Sequence, residues 1–249
     1  MRAADGIHRF FFFAPGISAV SWTVLRQISR SRPLRRSLAR VVHLDGDVIE
    51  CGVLWGRSII PLAMELKHGY RSEKTVFALD SFDGFRDEAV TTSDVGVNRT
   101  LAMIRSRFKQ DPGIVAGLRR IAERHALNLQ VVPGFFEETL PAVVEGRHFC
   151  LVHLDCDIYA SYQACLPLLY PRVVPGGIIV FDEYRTPFWP GATQAIDEFF
   201  ANKPEKPVRI SDPTRRKGSR YAIVKLLPSP TSPLPSMGPA GFEPAHFGL

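Results

Sequence analysis

Apolar positions along this chain come in short unbroken runs, separated by longer stretches of helical spacing. The runs at 47–52, 75–79, 129–132, 149–154 and 177–181 are rich in Val, Ile, Leu and Phe. Such runs predict strands buried on both faces, as in a parallel sheet. Between them, 58–68 carries Ile59, Leu62, Ala63 and Leu66 at helical spacing and ends at Gly69. Residues 98–126 read as two helices broken near Asp111-Pro112-Gly113, and 137–144 as a short helix interrupted or begun by Pro141. A crossover helix over 160–170 is closed by the turn Pro175-Gly176-Gly177. Residues 208–211 and 220–226 read as an antiparallel pair across the basic loop 213–219. Strand–helix repetition ending in a hairpin predicts an α/β fold, an open, doubly wound, mostly parallel sheet.

Two of the predicted strands run into acids. Phe149–Leu154 leads into Asp155-Cys156-Asp157, and Gly177–Phe181 leads into Asp182-Glu183. In a right-handed βαβ unit both clusters emerge at the same sheet edge. Four carboxylates on one rim repel one another, and a divalent cation or a proton held for chemistry offsets that repulsion. Asp155, Asp182 and Glu183 are oxygen donors suited to a hard cation such as Mg²⁺. Asp157 is placed to take a proton from a substrate hydroxyl, or to cap the following helix. His153 alternates with Asp155 inside the apolar strand and reads as a satisfied core histidine, with a catalytic one as the alternative. The remaining histidines show no zinc-ligand spacing.

Upstream, Glu50-Cys51-Gly52-Val53-Leu54-Trp55-Gly56-Arg57-Ser58 joins the first strand to the first helix. Its glycines allow close approach of a ligand to the backbone and to the free N–H groups of the helix start. It is not G-x-G-x-x-G, which argues against a pyrophosphate cradle. At the tip of the second strand, Asp80, followed by Ser81, is placed to accept the hydroxyls of a ribose, or to serve as a helix or turn cap. With the turn, it favours a nucleoside-containing ligand. No G-x-S-x-G or P-loop is present.

Composition adds limits. The chain has 249 residues with 45% hydrophobic and 22% charged, enough for one large α/β domain. The net charge of +6 is uneven: residues 1–40 carry eight Arg against Asp5, and residues 200–249 eight Lys or Arg against three acids, which leaves an acidic middle. The basic ends read as solvated faces, with phosphate, membrane or nucleic acid as the alternatives. Four cysteines without C-x-x-C spacing read as buried free thiols, which favours a reducing, cytoplasmic setting. The apolar stretch 10–22 is interrupted by Pro15-Gly16 and is shorter than a membrane span. It reads as a cover over the site or a self-association surface, with a signal peptide as the alternative. The Pro-, Ser- and Gly-rich residues 228–249 read as a disordered tail.

Taken in order, several stretches carry a resemblance. They are 47–53, Leu79–Phe85, Pro133–Pro141, Leu154–Tyr159, Val174–Tyr184, Pro190-Gly191-Ala192 and Ala195–Phe200. Together they span most of 46–226 and resemble the macrocin O-methyltransferase family. Its members are metal-dependent enzymes that use S-adenosylmethionine to methylate sugar hydroxyls on macrolide and aminocoumarin antibiotics. The resemblance implies a seven-stranded, Rossmann-like class I methyltransferase domain over 46–227, with 1–45 as a helical lid. It implies that Glu50, Gly52, Gly56 and Ser58 line the methionine and ribose side of the cofactor. Asp80, beside Ser81, would hold the ribose diol, and Gly134 and Phe135 would lie near the adenine. Asp155, Asp182 and Glu183 would be the Mg²⁺ ligands, with Asp155 also beside the cofactor, and Asp157 the general base.

Three features depart from the family pattern: Leu54 stands before Trp55, Glu183 replaces a second Asp, and residues 1–45 are Arg-rich. The expected partner is a small hydroxylated acceptor, a sugar on a natural product or glycan, with no nucleic acid and no stable membrane insertion. Self-association stays open. Two other readings remain. One is a nucleic-acid methyltransferase, suggested by the basic ends but lacking Asn/Asp-Pro-Pro-aromatic at 181–184. The other is a non-catalytic S-adenosylmethionine-binding protein on the same scaffold.

Overall fold

A computed structural model describes residues 32–106, 108, 113–210 and 220–227. The strands are β1 (Asp47–Cys51), β2 (Val76–Asp80), β3 (Leu129–Pro133), β4 (Phe149–Leu154), β5 (Val173–Phe181), β6 (Val208–Arg209) and β7 (Tyr221–Val224). They form one sheet in the order β3-β2-β1-β4-β5-β7-β6. The first five are parallel, and β7 runs antiparallel to both β5 and β6. This is the doubly wound, mostly parallel sheet that the apolar runs predict, and β4 is buried along its whole length.

The helices are α1 (Arg32–Val41), α2 (Ile59–Met64), α3 (Leu101–Arg105), α4 (Gly113–Arg124), α5 (Phe136–Val144), α6 (Tyr159–Leu169) and α7 (Pro190–Phe200). A π-helical turn, Glu65–Gly69, continues α2. Leu34 and Leu38 of α1, Leu62 of α2 and Leu118 of α4 pack with Val48, Leu151 and Val180 on one face of the sheet. Leu140 of α5, Tyr162 of α6 and Ile196 of α7 pack with Ile49, Phe77 and Ile179 on the other. Chain direction across the sheet reverses between β1 and β4, so the crevice outside their carboxyl ends is the topological switch point.

Two expectations change. Pro175-Gly176-Gly177 is not a turn ahead of β5 but part of it. The ladder to β4 shifts register there, Gly176 takes φ +81°, and both its N–H and the Gly177 carbonyl pair with Lys225. A bulge of this kind absorbs residues that local propensity assigns to a turn. Second, α1 belongs to the core: Leu34, Leu38 and Val41 are buried, and Arg35 Nε meets Glu65 Oε2 at 2.6 Å. The expected lid over 1–45 therefore does not include α1; residues 1–31 lie outside the described residues, as do the loop at 213–219 and the tail at 228–249. Residues 190–200, for which the sequence pattern gives no element, form a full helix, α7. Among the described residues, no helix is long and apolar enough to cross a membrane.

Candidate active site

At the switch point the ends of β1 and β4 touch. The Asp155 N–H donates to the Cys51 carbonyl at 2.9 Å, and a Cβ on Gly52 would lie 1.8 Å from the Asp155 carbonyl oxygen. Gly52 also takes φ +90°, so position 52 requires glycine on two grounds. The turn beyond it is organised by Asp80 at the tip of β2. Asp80 Oδ2 accepts the N–H groups of Val53 and Leu54, each at 2.8 Å, and Oδ1 accepts the Phe82 N–H at 2.7 Å. Ser81 faces the same opening, with its hydroxyl donating to the Gly84 carbonyl at 2.6 Å.

A cavity of about 350 Å³ opens here. Gly52, Leu54, Asp80, Ser81 and Phe135 line it together with the acids Asp155, Asp157, Asp182 and Glu183. Glu50, Gly56, Ser58 and Gly134 are not in its wall. Glu50 is fully buried behind the turn and accepts a hydrogen bond from the Ser58 hydroxyl. The inserted Leu54 faces the cavity at φ +51°, whereas Trp55 is half exposed with the Arg57 guanidinium 4.4 Å over its ring.

The acid rim divides into two overlapping groups. Oxygens of Asp155, Asp157 and Glu183 lie within 4.8 Å of one another, and Asp155 and Asp182 form a second such group with His153. Asp155, Asp182 and Glu183 therefore do not converge as one set. Asp182 is engaged by Arg220, whose Nε donates to its Oδ1. The electrostatics follow this division. Burial, and then the Asp182 charge, raise Asp155 to about 6, while burial and the neighbouring Asp155 and Asp157 charges hold Glu183 well above the carboxylate range. Asp182 is also penalised by burial, but Arg220 and His153 outweigh that and lower it. Glu183 accepts from the Tyr162 hydroxyl at 2.6 Å, and Asp157 takes φ +60°. An oxygen-only cluster that suppresses its own ionisation fits a hard divalent cation.

His153 is a core histidine, as the sequence suggests, but not a satisfied one. Neither ring nitrogen has a hydrogen bond among the described residues. Nδ1 stands 3.6 Å from Glu50 and Nε2 3.7 Å from Asp182. Burial alone lowers its pKa, yet the two carboxylates raise it to about 9.

Sequence reasoning misses the roof. The long excursion after β2 crosses to the loop after β5, where the Val97 N–H donates to the Pro187 carbonyl at 2.9 Å. Asp94 clasps it. Fully buried, Asp94 accepts from the Thr91 N–H at 2.9 Å and from the N–H of Tyr159, at the start of α6, at 2.7 Å. Gly191 leaves room for it, since a Cβ there would lie 2.2 Å from Asp94 Oδ1. The spacing Thr91-x-x-Asp94 is a capping-box signal that could have marked this residue. Beside the clasp, the Arg99 guanidinium lies 3.9 Å from the Trp189 ring, and Phe85 and Phe108 pack edge-on and tilted against Trp189, closing the cavity with aromatic surface. Nothing local in the sequence marks Arg99, Trp189 or Arg220.

The family described as Macrocin-O-methyltransferase (TylF) matches residues 26–214. A Streptomyces olivaceus protein, 8-demethyl-8-(2,3-dimethoxy-alpha-L-rhamnosyl)-tetracenomycin-C 4'-O-methyltransferase, is 31% identical over 57% of this chain and 54% of its own length. Mycinamicin III 3''-O-methyltransferase of Micromonospora griseorubida is 29% identical over 63% of this chain and 61% of its own. Demethyldecarbamoylnovobiocin O-methyltransferase of Streptomyces niveus is 29% identical over 70% and 66%. The chain thus spans between about half and two thirds of the length of these curated relatives. Among solved structures, the O-methyltransferase NovP superposes with a TM-score of 0.65 at 24% identity, covering 80% of this chain and 81% of that one. A calicheamicin methyltransferase superposes at 0.68 and 21% identity, covering 88% and 90%. At those identities the likeness is one of fold, and it identifies the sheet as the Rossmann-like class I methyltransferase fold.

Proposed function

The chain belongs to the macrocin O-methyltransferase family, and from that premise we propose that it transfers a methyl group from S-adenosylmethionine to a sugar hydroxyl of a small glycosylated natural product. The observation that carries this reading is one cavity joining the Gly52–Asp80 turn to the carboxylates of Asp155, Asp157 and Glu183. The cofactor would lie across the ends of β1, β2 and β3. A carboxylate has about four lone-pair sites, so Asp80 can hold the turn and still accept both ribose hydroxyls. Ser81 flanks that contact, and Gly134 and Phe135 lie toward the adenine. Glu50 and Ser58, joined behind the turn beside Gly56, would set the methionine end.

The acceptor hydroxyl would sit over the acid rim. Its oxygen attacks the methyl carbon in line with the breaking carbon–sulfur bond, Asp157 takes the hydroxyl proton, and S-adenosylhomocysteine leaves. Alignment of oxygen and methyl is the main task, since orientation alone can supply roughly 7–11 kcal/mol of a barrier. Asp155 and Glu183, with Asp182 released from Arg220, would hold a Mg²⁺ ion, which when bound acidifies the hydroxyl.

The test uses isotopically methyl-labelled S-adenosylmethionine with rhamnosylated acceptors, read by mass spectrometry. The expected result is a labelled O-methyl sugar. Asp157→Asn should bind cofactor normally and lose about 100-fold or more in turnover. Turnover at the wild-type rate in that variant would remove Asp157 as the base.

A further inference from the structure

We propose that His153 is a positioning residue that sets Glu50, behind the cofactor turn, and Asp182, on the acid rim, from the middle of a buried row of polar side chains. The row crosses four adjacent strands. Glu50 on β1 and His153 on β4 are direct register partners, and His153 is in turn paired with Val180 of β5. Asp182 follows β5 two residues later, and Arg220 immediately precedes Tyr221, the partner of Phe181 on β7. Strand alternation places all four on the sheet face that bears α1, α2 and α4. They continue, one pleat toward the site, an apolar layer of Val48, Leu151, Val180 and Ala222.

The side chains are in sequence from one end to the other. The Ser58 hydroxyl bonds Glu50 Oε1; Glu50 Oε2 faces His153 Nδ1 at 3.6 Å; His153 Nε2 faces Asp182 Oδ1 at 3.7 Å; Arg220 bonds the same carboxylate. Glu50 and His153 are fully buried, and Glu50 Oε2 and both ring nitrogens lack a hydrogen bond among the described residues. Each gap is about 0.7 Å longer than an ordinary N–H···O bond, so a small displacement of either carboxylate closes it. A single imidazole therefore senses both ends of the site. Glu50 leads through Cys51 into Gly52 and the cofactor turn, while Asp182 opens the rim. His153 touches the cavity at neither end and acts only through these neighbours.

The proposal rests on the reading of the cavity as an S-adenosylmethionine site. Its test is calorimetric titration of S-adenosylhomocysteine into the full chain, with thermal midpoints measured alongside. His153→Phe keeps a ring but removes both nitrogens, and should weaken product binding by at least about 10-fold, as loss of a residue that orients a ligating side chain does. His153→Gln retains a donor and should fall between that variant and wild type. It also serves if the Phe variant does not fold. The loss from Glu50→Gln should be non-additive with that from His153→Phe or His153→Gln, as expected for contacting residues. Val152→Ala, facing the opposite layer from the same strand, should lower the midpoint and leave affinity unchanged. Wild-type affinity in folded His153→Gln, or additivity with Glu50→Gln, overturns the positioning role. No binding by wild-type protein overturns the cofactor reading, and the proposal with it.

Discussion

Removing the Asp94 carboxylate should detach the roof of the cavity. Asp94 accepts three hydrogen bonds: the Thr91 N–H at 2.9 Å, the Thr91 hydroxyl at 3.2 Å, and the Tyr159 N–H at 2.7 Å. Bonds to a charged acceptor contribute about 1.5–3 kcal/mol each, and a buried donor left unpaired costs about 1–3 kcal/mol. Since such terms overlap, Asp94→Ala should cost about 3–5 kcal/mol in total. Asp94→Asn keeps one oxygen but turns an N–H₂ toward a donor, and should cost about half as much. The cost is capped by local opening: if residues 83–100 detach more easily than the domain unfolds, the loss appears as exchange rather than as a shifted midpoint. Urea denaturation and hydrogen exchange, followed peptide by peptide, separate the two outcomes. A variant with an unchanged urea midpoint and unchanged exchange over 83–100 would refute the clasp.

Further perturbations probe other contacts. Gly52→Ala places a Cβ 1.8 Å from the Asp155 carbonyl oxygen at a φ of +90°. It should abolish cofactor binding together with a fall in thermal midpoint, and a wild-type midpoint would show that the β1–β4 contact is looser than described. Glu205 is buried; desolvation raises its pKa, but the Leu226 N–H at 3.0 Å and the Tyr170 hydroxyl at 2.8 Å outweigh this and lower it overall. A depressed carboxylate stabilises the fold above its unfolded pKa of about 4.3, and that contribution is lost as pH falls through the folded value. Glu205→Gln should therefore cost about 1–2 kcal/mol at neutral pH and progressively less near about pH 3, measured by urea denaturation. An equal cost at both would mean that the contact does not depend on charge.

The parallel strands are legible in the sequence because burial on both faces removes polar alternation; Phe149–Leu154 is the clearest case. The acids are legible because they follow those runs directly: Asp80, Asp155 and Asp182 each sit where a strand ends. What escapes is set by tertiary contact. Arg220 reads as the first residue of the closing strand, with nothing to aim it at an acid, and only the β5–β7 pairing brings it onto Asp182. Asp182 accepts from Arg220 while its chain neighbour Glu183 accepts from the Tyr162 hydroxyl in the opposite layer. Leu34 and Leu38 lie among arginines that suggest a surface segment, yet their helical spacing turns one stripe of α1 into the core. Pro175-Gly176-Gly177 carries every local mark of a turn, and pairing with Lys225 keeps it in the sheet.

The most direct test of the cofactor and metal assignments is calorimetric titration of S-adenosylmethionine and S-adenosylhomocysteine into metal-stripped protein, repeated with Mg²⁺. The account predicts single-site binding of both forms, strongly weakened in Asp80→Ala, and a separate Mg²⁺ heat that disappears in Asp155→Ala. No binding of either form by protein shown to be folded would contradict it, leaving a methyltransferase scaffold without its methyl donor.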